Sequence, residues 1–237
     1  MLWGKVADPQ RFESTADEWF TADEWSTVVR SEGSPHVVLV VEPCPDLSVV
    51  AFERVLSGLP RIERTRIEAL QRWPDRLNSA IGWHLLHRMA RQHGMTVYRD
   101  IDGRPCADPP SDVGLSHSHR WVAVALSRLG RIGVDIEAIR SVSMSLERRC
   151  LTAYEMAWLN EVEPGPTRDR RFFRMWTAKE AYLKALGVGL SVDPQDVTID
   201  CYGTQPALLG EDAEHWEFTS DSPTPGLCMT VCAERTS

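Results

Sequence analysis

The chain has 237 residues, 43% of them hydrophobic and 25% charged, with a net charge of −8 and a pI near 5.4. That length supports a true hydrophobic core in one large domain or two small ones, and the composition excludes disordered and fibrous classes. The acidic balance argues against a nucleic-acid binder but leaves room for a local basic pocket that takes phosphates.

In chain order, the pentapeptide TADEW occurs twice, at Thr15–Trp19 and Thr21–Trp25, each reading as a helix start because Thr precedes acidic residues. His36–Pro45 reads as a buried strand that stops at its prolines, and Leu47–Leu56 as a short helix. Arg61–Trp73 is a basic segment with apolar Ile62, Ile67, Leu70 and Trp73, interrupted by Pro74. A helix is predicted from about Asp75 to His93, with Leu77, Ile81, Leu85 and Met89 on one stripe and Gly94 ending it. Thr96–Pro110 is a strand entering a Gly- and Pro-rich turn, and Trp121–Ser127 and Arg131–Glu137 are strands predicted to form a hairpin about Gly130. A helix near Leu146–Asn160 and a stronger one over Asp169–Leu186, closed by Gly187 and Gly189, precede short strands at Val197–Ile199, Trp216–Thr219 and Leu227–Cys232. Helices and strands alternate irregularly, which indicates an α+β fold. No apolar run reaches bilayer length and the start carries no secretion signal, so no membrane association is expected; six scattered cysteines read as free thiols of a reducing cytoplasm.

Two segments carry candidate chemistry. In GVDIE, Asp135 and Glu137 lie two apart on a strand, so both carboxylates project from one face. Such a pair needs a cation or a proton between its members, and hard oxygen ligands suit Mg²⁺. Taken alone, a D-x-E triplet reads first as the exposed polar face of an edge strand. The second segment, Phe172–Leu190, is helical, with Phe172, Trp176 and Leu183 on a packing stripe and Glu180 and Lys184 spaced i, i+4. Taken alone it is a salt-bridged amphipathic helix.

The two segments together, in the order GRP (Gly103–Pro105), LSHS (Leu115–Ser118), GVDIE (Gly133–Glu137) and WTAKEAYLKALGVGL (Trp176–Leu190), resemble the Sfp-type 4'-phosphopantetheinyl transferases. That family's signature is a G-I/V-D-x-E strand followed some tens of residues later by W-x-x-K-E-A/S-x-x-K. The resemblance extends from about Arg61 to Leu190.

The resemblance implies two similar α+β subdomains forming a pseudo-dimer, residues 1–112 and 113–237, with coenzyme A between them and the metal site in the second. It implies transfer of the phosphopantetheine arm of coenzyme A to a serine of an acyl or peptidyl carrier protein, with release of adenosine 3',5'-bisphosphate. Asp135, Glu137 and Glu180 would hold Mg²⁺, with Mn²⁺ as an alternative. Lys184 would contact the phosphates and Lys179 would support it. His117 and Ser116 would touch coenzyme A, the Gly103-Arg104-Pro105 turn would lie along its adenosine end, and Arg64 and Arg66 would reach its phosphates. Glu180 is the expected base, directly or through a metal-bound water, and Glu155 a second candidate. Asn78 stands where many members have an arginine, which implies either Arg76 as a nearby substitute or a 3'-phosphate held less tightly. A cytoplasmic monomer is expected, with a carrier-facing strip around Arg140–Arg149. The alternatives are a coenzyme A-binding or regulatory relative that has lost the reaction, a non-enzymatic interaction protein, and an unrelated Mg²⁺ phosphohydrolase.

Overall fold

The structure, a computed structural model, describes residues 27–29, 36–41 and 48–235. The TADEW repeats and Cys44 lie outside the described residues.

The first half begins with strands β1 (Thr27–Val29) and β2 (His36–Val41), then helices α1 (Val49–Ser57), α2 (Arg61–Ala69) and α3 (Trp73–Gln92). Ser48 starts α1 by accepting the Ala51 N–H at 3.2 Å. Pro74 does not merely interrupt: it occupies the first turn of α3, where its missing N–H is harmless. Strands β3 (Val97–Arg99) and β4 (Pro105–Ala107) form a small hairpin across the GRP turn, where Gly103 supplies φ +89°.

Strands β5 (Asp112–Ser118) and β6 (Trp121–Ser127) then pair with each other and continue the first sheet, in the order β1-β2-β6-β5. Strand β7 (Ile132–Ala138) belongs to a second sheet, β10 (Trp216–Asp221), β11 (Leu227–Glu234), β7. The hairpin predicted about Gly130 is therefore not formed, since β6 pairs with β2 and β5 while β7 pairs with β11. The reason lies in WVAVALS, whose two faces are both buried. Val122, Val124 and Leu126 pack on α1–α3, and Ala123 and Ala125 pack against Ile132, Val134 and Ile136 of β7. A strand apolar on both faces belongs in the interior of a sheet. The first sheet thus extends past the 112/113 division drawn from the sequence.

The segment expected as one helix near Leu146–Asn160 is two, α4 (Met144–Cys150) and α5 (Ala153–Leu159), because Thr152 opens α5 with a capping box to Glu155. Helix α6 (Pro166–Leu186) lies across β7 and β11, and ends at Gly187, φ +76°, with Val188 and Gly187 N–H groups closing on Leu183 and Lys184 carbonyls. Strands β8 (Thr198–Asp200) and β9 (Ala207–Leu209) complete a core in which Phe172, Phe173, Leu183, Trp158 and Trp216 are buried. The arrangement is α+β. No helix among the described residues is long and apolar enough to cross a membrane, and the described cysteines are all free thiols.

Candidate active site between β5, β7 and α6

Along β7 the side chains alternate. Ile132, Val134 and Ile136 enter the apolar layer under β6, which turns Gly133, Asp135 and Glu137 to the opposite face. Helix α6 lies on that face, and Gly133 is what lets it come close. A Cβ at Gly133 would stand 1.9 Å from the Ala181 carbonyl oxygen and 2.5 Å from the Ala185 nitrogen. This approach places Lys184 against Asp135, with Nζ to Oδ1 at 2.5 Å.

Strand β5 closes the third side. It shares no backbone ladder with β7; its side chains serve as the ladder instead. Asp112 Oδ2 accepts the Ile132 N–H at 3.1 Å, Ser116 Oγ the Ile136 N–H at 3.4 Å, and Ser118 Oγ the Ala138 N–H at 3.2 Å. Gly114, between them, lies against Val134, whose nitrogen would be 3.3 Å from an added Cβ. Both serine hydroxyls also donate to the acids of β7: Ser116 to Asp135 Oδ1 at 2.8 Å, Ser118 to Glu137 Oε2 at 2.6 Å. Lys184 Nζ donates to Ser116 Oγ at 3.0 Å.

Two oxygens remain without a hydrogen-bond partner although buried, Asp135 Oδ2 and Glu180 Oε1. Burial pushes the Glu180 carboxyl above the usual range; Lys184 opposes this, while the charges of Asp135 and Glu137 add to it. The i, i+4 spacing of Glu180 and Lys184 does not close into an ion pair, because the ammonium is taken by Asp135. Among the described residues no three acidic, histidine or cysteine side chains are already gathered tightly around one point that could hold an ion. The donor set nevertheless fits a hard cation: three carboxylates that sense one another's charge, two with a buried oxygen left unpaired, are what an oxygen-preferring divalent ion would satisfy.

His117 lies on the other face of β5 from the two serines, with its ring reaching solvent. Surrounding atoms desolvate it and Lys184 repels its charged form, so its pKa falls and the ring is neutral at pH 7 despite the opposing pull of Asp75 and Asp135. Arg104 is committed to Asp112 at 2.6 Å and so buttresses the β5–β7 seam. Pro105 sits in β4 opposite Arg99. Arg66 lies on the GRP turn, since a Cβ at Gly103 would meet its guanidinium nitrogen at 2.7 Å. Arg64 Nε is buried with no hydrogen-bond partner.

Lys179 is not brought to this site. One residue of helical rotation turns it away from Glu180 into the α4–α5 side, where it is fully buried and bonds Glu155 at 2.6 Å and the carbonyls of Cys150 and Pro194. Glu155 is equally committed, accepting the Thr152 and Ile199 N–H groups as well, which leaves it no freedom to act as a base. Arg76 is spent on the Leu70 and Glu68 carbonyls at the α2–α3 joint and does not stand in for a missing arginine. Asn78 holds the β5–β6 turn by donating to the carbonyl of His119, itself at φ +54°. Sequence reasoning missed Asp112, Gly114 and Ser118; their signal was the two-residue alternation of small and polar residues through Asp112–Ser118, facing an equally regular β7.

A family model described as the 4'-phosphopantetheinyl transferase superfamily matches residues 131–232, the stretch containing Asp135, Glu137, Glu180 and Lys184. The chain is 31% identical over 199 residues to the 4'-phosphopantetheinyl transferase ffp of Bacillus subtilis, covering 80% of this chain and 88% of that one. It is 30% identical over 201 residues to the 4'-phosphopantetheinyl transferase pptA of Paxillus involutus, covering 73% and 76%. It is also 30% identical over 135 residues to the 4'-phosphopantetheinyl transferase Sfp of Bacillus subtilis strain 168, covering 55% and 59%. Among solved structures, a holo-[acyl-carrier-protein] synthase of Thermotoga maritima superposes with TM-score 0.39 at 19% identity, covering 45% of this chain and 64% of that one. The chain belongs to the 4'-phosphopantetheinyl transferase superfamily, enzymes that transfer the phosphopantetheine group to carrier proteins.

Proposed function

We propose that this chain transfers the 4'-phosphopantetheine arm of coenzyme A to a serine hydroxyl of an apo acyl or peptidyl carrier protein, using a divalent cation, Mg²⁺ or Mn²⁺, held by Asp135, Glu137 and Glu180. The observation that carries the reading is the pair of buried, unpartnered oxygens, Asp135 Oδ2 and Glu180 Oε1, beside the ammonium of Lys184. The cation, when bound, would neutralise the diphosphate of coenzyme A. The chain's own residues do the rest. Lys184 leaves Asp135 for the phosphates and offsets the charge that develops on the departing nucleotide. Ser116, with a lone pair freed when Lys184 moves, and His117 meet coenzyme A, while Arg66 and the Gly103-Arg104-Pro105 turn border its adenosine end. As the carrier serine oxygen bonds to the β-phosphorus, the bond to the α-phosphate oxygen breaks and the serine proton passes to Glu180, directly or through a water. Adenosine 3',5'-bisphosphate leaves, with no covalent enzyme intermediate.

Carrier docking is assigned to α4 and the loop before it. Arg140, Arg148 and Arg149 are exposed there beside exposed Met144 and Leu146, and Arg140 lies 3.7 Å from Glu137. Apolar contact and a basic strip suit an acidic helical partner. The protein is read as a cytoplasmic monomer of two subdomains. The names of its relatives weigh against a binding or regulatory relative that has lost the reaction.

Calorimetric titration of coenzyme A into the protein tests the site. Binding is expected with Mg²⁺, weakened at least about tenfold by EDTA or by Glu180→Gln. Equal affinity in all three would remove the cation from the account.

A further inference from the structure

We propose that Ser118 is a positioning residue for Glu137: its hydroxyl, fixed by the Ala138 N–H, orients the carboxylate and leaves one glutamate oxygen free for a cation. The inference rests on the proposed cation site.

Ser118 Oγ accepts the Ala138 N–H at 3.2 Å, so its single proton is directed elsewhere, and Glu137 Oε2 receives it at 2.6 Å. The contact with His119 Nδ1, at 3.5 Å, is at the outer limit of a hydrogen bond and does not compete. Ser118 itself is 8% exposed, so its hydroxyl is not free to rotate into water. The glutamate needs such a guide more than Asp135 does. Its side chain is 23% exposed and its other neighbour is Arg140 at 3.7 Å, whereas Asp135 is fixed by Ser116 and Lys184 together. Two hydroxyls in β5, spaced two residues apart, thus face two acids in β7 spaced two apart, each accepting from the chain of β7 and donating to an acid of β7. Partners that orient a ligating carboxylate are typically worth 10–100-fold in metal affinity.

The test measures Mn²⁺ binding to the full chain in the presence of coenzyme A, by loss of the free-ion paramagnetic resonance signal. Alongside it run the Mg²⁺ concentration for half-maximal transfer and the melting temperature. Ser118→Ala and Ser118→Cys, the second keeping the volume but not the strong hydrogen bond, are expected to bind Mn²⁺ about tenfold more weakly. Both should recover their turnover at saturating metal, and Ser118→Thr should restore affinity. Glu137→Gln separates the positioning role of Ser118 from the cation site itself. If it loses Mn²⁺ while Ser118→Ala and Ser118→Cys bind like wild type, the positioning role is wrong and the cation site stands. If Glu137→Gln also binds like wild type, the cation site is wrong and Ser118 loses its role with it. A turnover defect that excess metal and Ser118→Thr both fail to repair would make Ser118 a packing residue only, overturning the proposal.

Discussion

Glu180 takes up a proton more readily in the folded protein than in the unfolded chain, because burial desolvates it and two like charges face it. A carboxyl of this kind stabilises the folded state below the ordinary glutamate range and disfavours it as pH rises through the raised value. Glu180→Gln is therefore expected to raise the melting temperature of the metal-free protein at pH 8 by about 2–4 °C. That gain should shrink as pH falls toward the ordinary glutamate range, while transfer drops by about 10²-fold or more. Scanning calorimetry in EDTA across pH reads the first effect, and a pH-independent difference would contradict it. Lys179 and Glu155 give the opposite case, charges buried for architecture. Removing Glu155 leaves the fully buried ammonium without a counter-charge, and Glu155→Ala is expected to cost about 3–5 kcal/mol in denaturant unfolding. Loss of under about 1 kcal/mol would show that the pair is not what ties α5 to α6. That Glu180 and Lys179, adjacent in sequence, serve such different ends was only half legible beforehand. Helical rotation separates them, but which side meets water and which meets α5 depends on how α6 is seated.

The seating of α6 on β7 is decided by Gly133. Its lack of a Cβ brings the helix backbone into contact with the strand, and only at that distance can Lys184 reach Asp135. Gly133→Ala is expected to push α6 outward, lowering the melting temperature by several degrees and kcat/KM by about 10²-fold. Unchanged kinetics would show that the approach is not critical. The strands, the two long helices and the shared face of Asp135 and Glu137 were legible from period-2 and period-3.6 patterning. The pairing of β6 was not. Proximity in sequence favoured a β6–β7 hairpin, and the contrary signal, a strand apolar on both faces, speaks of an interior position without naming its neighbours. The seam of Asp112, Gly114, Ser116 and Ser118 escaped for a related reason. Side chains that replace a backbone ladder leave no hydrophobic signature.

At the scale of the whole molecule, the net charge of −8 conceals an uneven distribution. Residues 48–131 contain thirteen arginines and eight acids, so the acidic excess lies elsewhere in the chain. A basic stretch at residues 48–131, set against the acid-bearing segments that follow it, is a fitting frame for a substrate that is a polyanion and requires a cation. The carrier side is distinct. Arg148→Glu with Arg149→Glu should raise the KM for an acidic carrier about tenfold and leave the KM for coenzyme A unchanged, and should weaken the salt dependence of transfer. Equal effects on both substrates would move the docking face elsewhere. The functional class was legible because four short motifs keep their order, while the carrier's identity depends on surface shape that no motif encodes.

The most direct test is the intact mass of apo carrier proteins, acyl and peptidyl, after incubation with the protein, coenzyme A and Mg²⁺. A carrier is expected to gain one phosphopantetheine arm, and EDTA or Glu180→Gln to abolish the gain. No mass change on any carrier of either class, from a folded protein that binds coenzyme A, would contradict the proposed transfer.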